Sequence, residues 1–265
     1  MRKSRELKEL ARQRMTKNIS TLVGATAIYG GIYFAVVISV AVAYTLNLLS
    51  KGIFTSIASV EMYMETAMNS FGYSMATQAV AVLIGALMNT VSVAIAYMCL
   101  KTARGQETKI SDLLYVVKNN PDKVILIYLI EELIMFLVSV PANLISYYAD
   151  VNASTLIAVL NLAFTILAYV ADIYIAAMFA LAMFVYIEDP EKGVLECIET
   201  SGIMMRNNIS KYVFIVISFI PLYFVSALFL LVPYLFVYPY MHVTMALFYM
   251  QLKGELGSTI DVTIE

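Results

Sequence analysis

Long apolar stretches alternate along this chain with short basic blocks. No charged residue occurs from 19 to 49, from 72 to 100, or from Tyr212 to Leu252. A helix rises about 1.5 Å per residue, so about 20 apolar residues cross a hydrocarbon core of ~30 Å. Six crossings are read within 19–49, 72–100, 124–148, 155–187, 212–232 and 236–252. The fourth exceeds one bilayer thickness and is expected to tilt or project. Between the crossings lie stretches with apolar residues at helical spacing. Residues 5–17 carry Leu7, Leu10, Ala11 and Met15, 109–118 carry Leu113, and 192–205 carry Ile203. These are expected to be amphipathic helices on the inner surface that bury Leu10, Leu113 and Ile203. Residues 51–70 present Ile53, Ile57, Val60, Met64 and Met68 as one stripe and read as an outer surface helix. A tight outer turn falls near Asp150–Ser154.

Charge orients this pattern. The basic residues occur as Arg2, Lys3, Arg5, Lys8, Arg12, Arg14 and Lys17; Lys101, Arg104, Lys109, Lys118 and Lys123; Lys192, Arg206 and Lys211; and Lys253, with Lys51 apart. A six-crossing threading puts all but Lys51 on one side, as cytoplasmic retention of Lys and Arg requires. Both termini are therefore expected inside. The expected fold is an all-α polytopic membrane bundle of six transmembrane helices with amphipathic interfacial helices at the cytoplasmic elbows. Its parts are an amphipathic helix over 1–18, a membrane domain over 19–252 and a tail over 253–265. Composition agrees: 61% of residues are hydrophobic and 14% charged, against about 25% charged in soluble domains. The basic start is too long, and the apolar run behind it too extended, for a cleavable signal. Cys99 and Cys197 have no metal or redox spacing. Tyrosines such as Tyr147, Tyr148, Tyr234, Tyr238 and Tyr240 suggest an interfacial belt. Ala27/Gly31, Ala81/Gly85 and Ser92/Ala96 have the small-residue spacing of close helix packing.

Three inner junctions share a form: Lys17-Asn18-Ile19-Ser20, Lys118-Asn119-Asn120-Pro121 and Arg206-Asn207-Asn208-Ile209-Ser210-Lys211. Each follows an amphipathic stretch and precedes an outward crossing, with Met15, Val117 and Met205 at matching places. They read as elbows where Asn caps a helix and the cation stays among headgroups. Lys17, Asn18, Lys118, Asn120, Arg206, Asn208 and Lys211 are the candidate headgroup contacts. Three repeats of surface helix plus hairpin are one reading of these junctions, and shared helix-boundary chemistry is the other.

Leu7-Lys8, Ala11, Met15 and Asn18 follow a Leu-Lys-x-x-Ala-x-x-x-Leu-x-x-Asn form with Met for the second Leu. Arg104-Gly105 stands mid-chain. Ser201, Met205 and Asn208 follow Ser-x-x-x-Met-x-Gly-Asn, before Ser218-Phe219-Ile220, Pro239-Tyr240 and Phe248-Tyr249. In these motifs the chain, from about residue 5 to 252, resembles an integral membrane family catalogued as domain of unknown function number 975. It departs at Asn207, where that family often has Gly, and at Pro221-Leu222, where Gly-Trp is common. The resemblance implies a bacterial plasma-membrane protein and supplies no catalytic residues.

Candidate chemistry is sparse. Glu131, Glu132 and Asp172 lie within apolar crossings, where each acid costs about 2.5 kcal/mol or more. Glu131 and Glu132 point about 100° apart. Glu132 shares a face with Tyr128, Ser139 and Asn143; Asp172 shares one with Ala168, Ala176 and Ala180. Glu132, Asp172, Asn143, Asn161 and Tyr128 are the candidate ligand or ion residues; the structural reading of the acids is a protonated carboxyl hydrogen-bonded to a neighbouring helix, with Glu131 reaching toward the inner headgroups. His242 lacks metal-ligand companions, and no hydrolase, zincin or phosphate-loop motif occurs. No cofactor, metal or catalytic residue is assigned, and the mixed basic blocks exclude nucleic acid as the expected partner. Expected partners are membrane lipids, anionic headgroups on the cytoplasmic side and another membrane protein. The first functional expectation is a non-enzymatic scaffold or accessory protein. The alternative is a small cation- or proton-coupled transporter or channel-like protein using Glu132 and Asp172. A polar cavity reaching those acids favours transport, and a solid interior favours scaffolding.

Overall fold

The computed structural model describes residues 3–68, 70–151, 154–229 and 232–256, and they contain helices and turns but no strand. The helices are α1 (Ser4–Met15), α2 (Ile19–Ser50), α3 (Ile57–Met68), α4 (Phe71–Ala103), α5 (Tyr115–Lys118), α6 (Pro121–Val151), α7 (Thr155–Phe179), α8 (Ala182–Glu188), α9 (Val194–Met205), α10 (Ile209–Ile217), α11 (Ile220–Leu228) and α12 (Tyr234–Leu252). Among the described residues, five helical stretches are long and apolar enough to cross a membrane: Ile19–Ser50, Met75–Ala103, Pro121–Tyr148, Thr155–Glu188 and Ile209–Leu228. The expected sixth crossing, α12, lies outside this set. It is rich in Tyr and also carries His242, Thr244 and Gln251; protein surrounds it, burying Val237–Pro239 and Val243–Gln251. A helix enclosed by protein needs no uniformly apolar surface.

The chain forms two compact units. The first comprises residues 1–29, 89–127 and 177–265, and the second 30–88 and 128–176. In the first unit, α1 packs on α12 and α10. Its apolar stripe is Leu7, Ala11 and Met15, all buried, whereas Leu10 is half-buried. The face expected to meet lipid is therefore largely a protein contact. The Lys8 ammonium donates to the Ser218 carbonyl at 3.1 Å and to Ser218 Oγ at 3.2 Å. It also stands 4.3 Å from the Phe219 ring centroid. This contact has a local cause. The Leu222 amide bonds to Phe219 O instead of Ser218 O, where the chain breaks between α10 and α11 just before Pro221. The Ser218 carbonyl thus loses its helical partner, and Lys8 takes it.

Ser201 serves the other break in a long apolar segment, between α7 and α8. Its Oγ donates to Met178 O at 2.6 Å and accepts from the Leu181 amide at 3.1 Å. The neighbouring Gly202 has no Cβ, and one there would stand 2.9 Å from Met178 Cε. The residues 155–187 are thus a broken helix instead of one continuous rod. Pro141, by contrast, is accommodated inside α6.

The first and third elbows share a geometry. α1 and α9 each have twelve residues, end at a buried Met15 or Met205, and turn through three residues into a helix beginning Ile-Ser. Leu7, Ala11 and Met15 correspond in burial to Cys197, Ser201 and Met205. The middle elbow differs. Ile110–Leu114 is a 3-10 turn followed by the single turn of α5. There Val116 is buried and Val117 is 70% exposed, so the expected alignment of Val117 with the two methionines fails. Leu113 is half-buried and Ser111 exposed, while Ile203 on α9 points out of the protein.

In the second unit, the expected outer helix is a 3-10 turn, Ile53–Thr55, followed by α3. Its single stripe is not kept: Ile53 is buried, Val60 is intermediate, and Ile57 and Met64 are exposed. The Met68 side chain and residues 152 and 153 of the outer turn lie outside the described residues. Gly31 has no neighbour that a Cβ would meet, so Ala27/Gly31 is not a packing seam. Ser92 and Ala96 are buried. Tyr238 is buried in a stack with Tyr29 at 5.5 Å, and the Tyr240 hydroxyl donates to Lys8 O at 3.1 Å. Tyr238 therefore belongs to the protein interior, whereas Tyr240 is half-buried against α1.

Candidate functional site

Helical spacing places the second unit's polar groups on shared faces. On α6, Glu132, Phe136, Ser139 and Asn143 recur one to two turns apart; on α4, Gln78, Ala81, Val82 and Gly85 do the same. A cavity of about 250 Å³ is lined by Gln78, Ala81 and Val82 of α4, Glu132, Met135, Phe136 and Ser139 of α6, and Asp172 of α7. Glu132 and Asp172 thus meet at one space. Asn143 borders it, donating to Gln78 Oε1 at 3.3 Å and Ser139 Oγ at 3.2 Å. Asp172 Oδ1 is buried without a hydrogen-bond partner. A Cβ at Gly85 would stand 3.4 Å from Glu132 Oε1, so this carboxyl packs against the glycine.

The other candidates lie apart. Glu131, about 100° around α6, does not line the cavity, and neither does Tyr128. Asn161 lies eleven residues before Asp172, about 16 Å along α7. Its Oδ1 accepts from Thr165 Oγ1 at 3.5 Å. Among the described residues, no Lys, Arg or His lines the cavity. Two acids without a cation in an apolar segment need protons or a bound cation to neutralise them. Gln78, Ser139 and the acids are all oxygen ligands, a set suited to a hard cation.

A second polar constellation lies in the first unit and has the opposite character. Glu188, at the end of α8, accepts from Lys253 Nζ at 2.5 Å and the Tyr249 hydroxyl at 2.6 Å, and pairs with Arg104. Glu255 pairs with Arg104 at 3.1 Å and Lys253 at 2.9 Å. Gly254, at φ +78°, turns the chain after α12. The Glu255 amide then reaches Met250 O at 2.9 Å, closing a Schellman turn that brings its carboxylate back. Burial works to lower the Lys253 pKa, but hydrogen bonds and charge from Glu188 and Glu255 outweigh it and leave it raised. A cavity of about 390 Å³ beside this cluster is lined by Tyr97, Lys101, Arg104, Gln106, Glu188 and Lys253, among others. Lys101 pairs with Asp112 at 2.8 Å, so each of its cations has a carboxylate. This constellation is an ionic clamp. It is not legible along the chain, because Arg104 lies 84 residues from Glu188 and 151 from Glu255; Arg104-Gly105 in the family-like motif is its one sequence signal.

The elbow residues divide. Asn18 is not a headgroup contact. It is 5% exposed; its Nδ2 donates to Thr102 Oγ1 at 3.2 Å and Gln106 O at 2.8 Å, and its Oδ1 accepts from the Thr108 amide at 3.3 Å. It pins the first elbow to the chain after α4, because a buried amide must satisfy both ends. Lys211 is likewise drawn inward, to Gln251 Oε1 at 3.2 Å. Asn208 Nδ2 bonds back to Met204 O at 2.9 Å. Lys17 forms an exposed pair with Glu107 at 3.0 Å; Lys118, Asn120 and Arg206 are exposed. Asn120 has φ +43°, a conformation Asn tolerates better than most residues. Among the described residues, no group of three His, Cys, Asp or Glu side chains suits a metal.

The residues carrying the family-like motifs are therefore structural clamps: Leu7, Ala11, Met15 and Asn18 at the first elbow, and Ser201 and Met205 at the third. No curated protein and no solved structure matches the chain. The family model described as protein of unknown function (DUF975) matches residues 1–255, and the chain belongs to that family.

Proposed function

We propose that this chain is a small multi-pass membrane protein that takes a proton or a small cation at Glu132 and Asp172, as a transporter or channel-like protein. The supporting observation is one cavity lined by both acids and by no cation, with a buried Asp172 oxygen lacking a partner. Intramembrane acids facing a cavity mark ion and proton pathways. The reading is non-enzymatic and assigns no role to nucleic acid or a cofactor. The proposed topology has six crossings, with α12 as the enclosed return path and both termini in the cytoplasm of a bacterial cell. The grouping of basic residues supports it. The test is flux: the full chain in liposomes should pass protons, Na⁺ or K⁺ down an imposed gradient, and Glu132→Gln with Asp172→Asn should abolish the flux while the protein stays folded. Equal flux in wild type and double variant overturns the proposal.

A scaffold or accessory role is the second reading, and α3 favours it. This helix is too short to cross a bilayer, yet Ile57 is 79% exposed and Met62 66%. Such a surface suits a membrane partner or the interfacial lipid. Co-purification in mild detergent, with wild type and Ile57→Gln compared, reads this out. Loss of a stoichiometric protein with Ile57→Gln supports the scaffold, and an unchanged profile removes it.

A further inference from the structure

The junction of α1 and α2 carries a cavity that the ion site does not explain. It measures about 530 Å³ and is lined by Lys8, Arg12, Met15, Thr16, Ile19, Leu222, Phe236, Val237 and Tyr240. This volume lies within the range of ligand sites. Its walls are two-sided. Met15, Ile19, Leu222, Phe236 and Val237 form an apolar floor, and two cations stand along its α1 side.

Those cations are not neutralised by their own helix. Glu9 is paired with Arg5 at 3.2 Å, and Glu6 accepts from the Lys3 amide at 3.3 Å. Neither Lys8 nor Arg12 has an ion pair among the described residues. Lys8 spends two hydrogen bonds on Ser218 and stands over the Phe219 ring, which fixes its position at the cavity wall. Arg12 is exposed at the rim, and Tyr240 holds α1 in place through the Lys8 carbonyl.

The cavity also sits where the chain changes solvent. α1 carries six charges within Arg5–Arg14, whereas α2 carries none from Ile19 to Ser50. The boundary between headgroups and acyl chains must therefore fall close to Thr16–Ile19, residues that line the cavity. Charge on one side and apolar surface on the other, at that boundary, match one kind of molecule.

We propose that this cavity binds one acidic phospholipid, its phosphate on Arg12 and Lys8 and the upper part of an acyl chain on Met15, Ile19, Leu222, Phe236 and Val237. This site is independent of the ion reading, because it lies in the other unit and shares no residue with Glu132 or Asp172.

The test uses the full chain in nanodiscs of phosphatidylcholine with a minor fraction of phosphatidylglycerol. Retained lipid is counted by native mass spectrometry after release. Wild type should retain one phosphatidylglycerol. Arg12→Gln should weaken that retention about five-fold, the worth of one Lys or Arg at an anionic surface. Arg5→Gln, two turns or about 10 Å along α1 from Arg12 and already paired with Glu9, should leave it unchanged. Phe236→Gln should weaken lipid retention without changing binding of inorganic phosphate. Equal losses in Arg12→Gln and Arg5→Gln would reduce the site to diffuse charge attraction and overturn the proposal. So would inorganic phosphate displacing the lipid at millimolar concentration with Phe236→Gln silent, since the cavity would then hold only a free anion. Thermal melting of each variant excludes misfolding as the cause of a loss, and flux through Glu132 and Asp172 is not part of the readout.

Discussion

Two groups of acids in this protein are treated in opposite ways. Glu188, in the first unit, accepts from Lys253, Tyr249 and Arg104. Glu132 and Asp172, in the second, share a cavity that no cation lines. A carboxylate surrounded by fixed donors is a structural joint: its charge is neutralised within the fold, and removing it leaves the donors stranded. A pair of acids on one cavity without a Lys or Arg beside them is neutralised by protons or by a cation from outside the chain. The difference predicts that the first acid carries stability and the second pair carries function.

The strongest way to break this comparison is to remove the joint. Glu188→Gln leaves Arg104 and Lys253 competing for Glu255 alone. It should cost about 2 kcal/mol, less than a fully buried pair because these side chains are partly exposed. Thermal melting in detergent measures it. The pH dependence follows from Lys253. Its pKa is raised in the folded state, so the stabilisation is complete below the ordinary lysine value of 10.5 and is lost as pH rises through the raised value. The deficit of Glu188→Gln should therefore stay constant between about pH 6 and 9 and shrink only above the ordinary lysine range.

A second joint sharpens the contrast between structure and function. Asn18→Ala removes three hydrogen bonds at a buried elbow and should cost about 1.5 kcal/mol, with flux per folded molecule unchanged. A fall in flux without a fall in melting temperature would show that the elbow serves more than packing.

Glu132→Gln with Asp172→Asn should behave in the opposite sense. It removes two acids that have no charged partner at the cavity, so melting should change by less than about 0.5 kcal/mol or rise. Destabilisation comparable to that of Glu188→Gln would make these acids structural and end the distinction. The smallest effect is expected at Lys17→Ala. Its pair with Glu107 is exposed on both sides, so it should cost no more than about 0.3 kcal/mol.

The orientation of the bundle has its own test. A single Cys placed at Lys118 should resist a membrane-impermeant maleimide in intact cells and react after permeabilisation. Labelling from outside would reverse the proposed topology.

The long apolar helices were legible because hydropathy is a property of each segment by itself. α2, α4, α6 and the broken segment from Thr155 to Glu188 lie where their apolar runs lie. Periodicity also placed Glu132 with Ser139 and Asn143 on one face of α6. What periodicity left open was which surface each face would meet. Leu7, Ala11 and Met15 repeat as a membrane-binding stripe would, but they are buried against protein; Asn18 and Lys211 looked like elbow residues at the headgroups and turned inward. A stripe or a cation states its chemistry and not its neighbour.

By itself the sequence determined that this protein is helical, that most of its helices carry too little charge to rest comfortably in water, and that its basic residues cluster at the junctions. Tertiary structure decided that α12 is enclosed by protein, that Ser201 and Lys8 satisfy the backbone at two helix breaks, and that Arg104, Glu188, Lys253 and Glu255 form one clamp. It also decided that Gln78, Glu132, Ser139 and Asp172 border a single space. The reason is the range of the forces involved. Hydropathy and helical period act over neighbouring residues and can be read along the chain, whereas hydrogen bonds and ion pairs form only within a few ångströms, between residues whose proximity the fold alone creates.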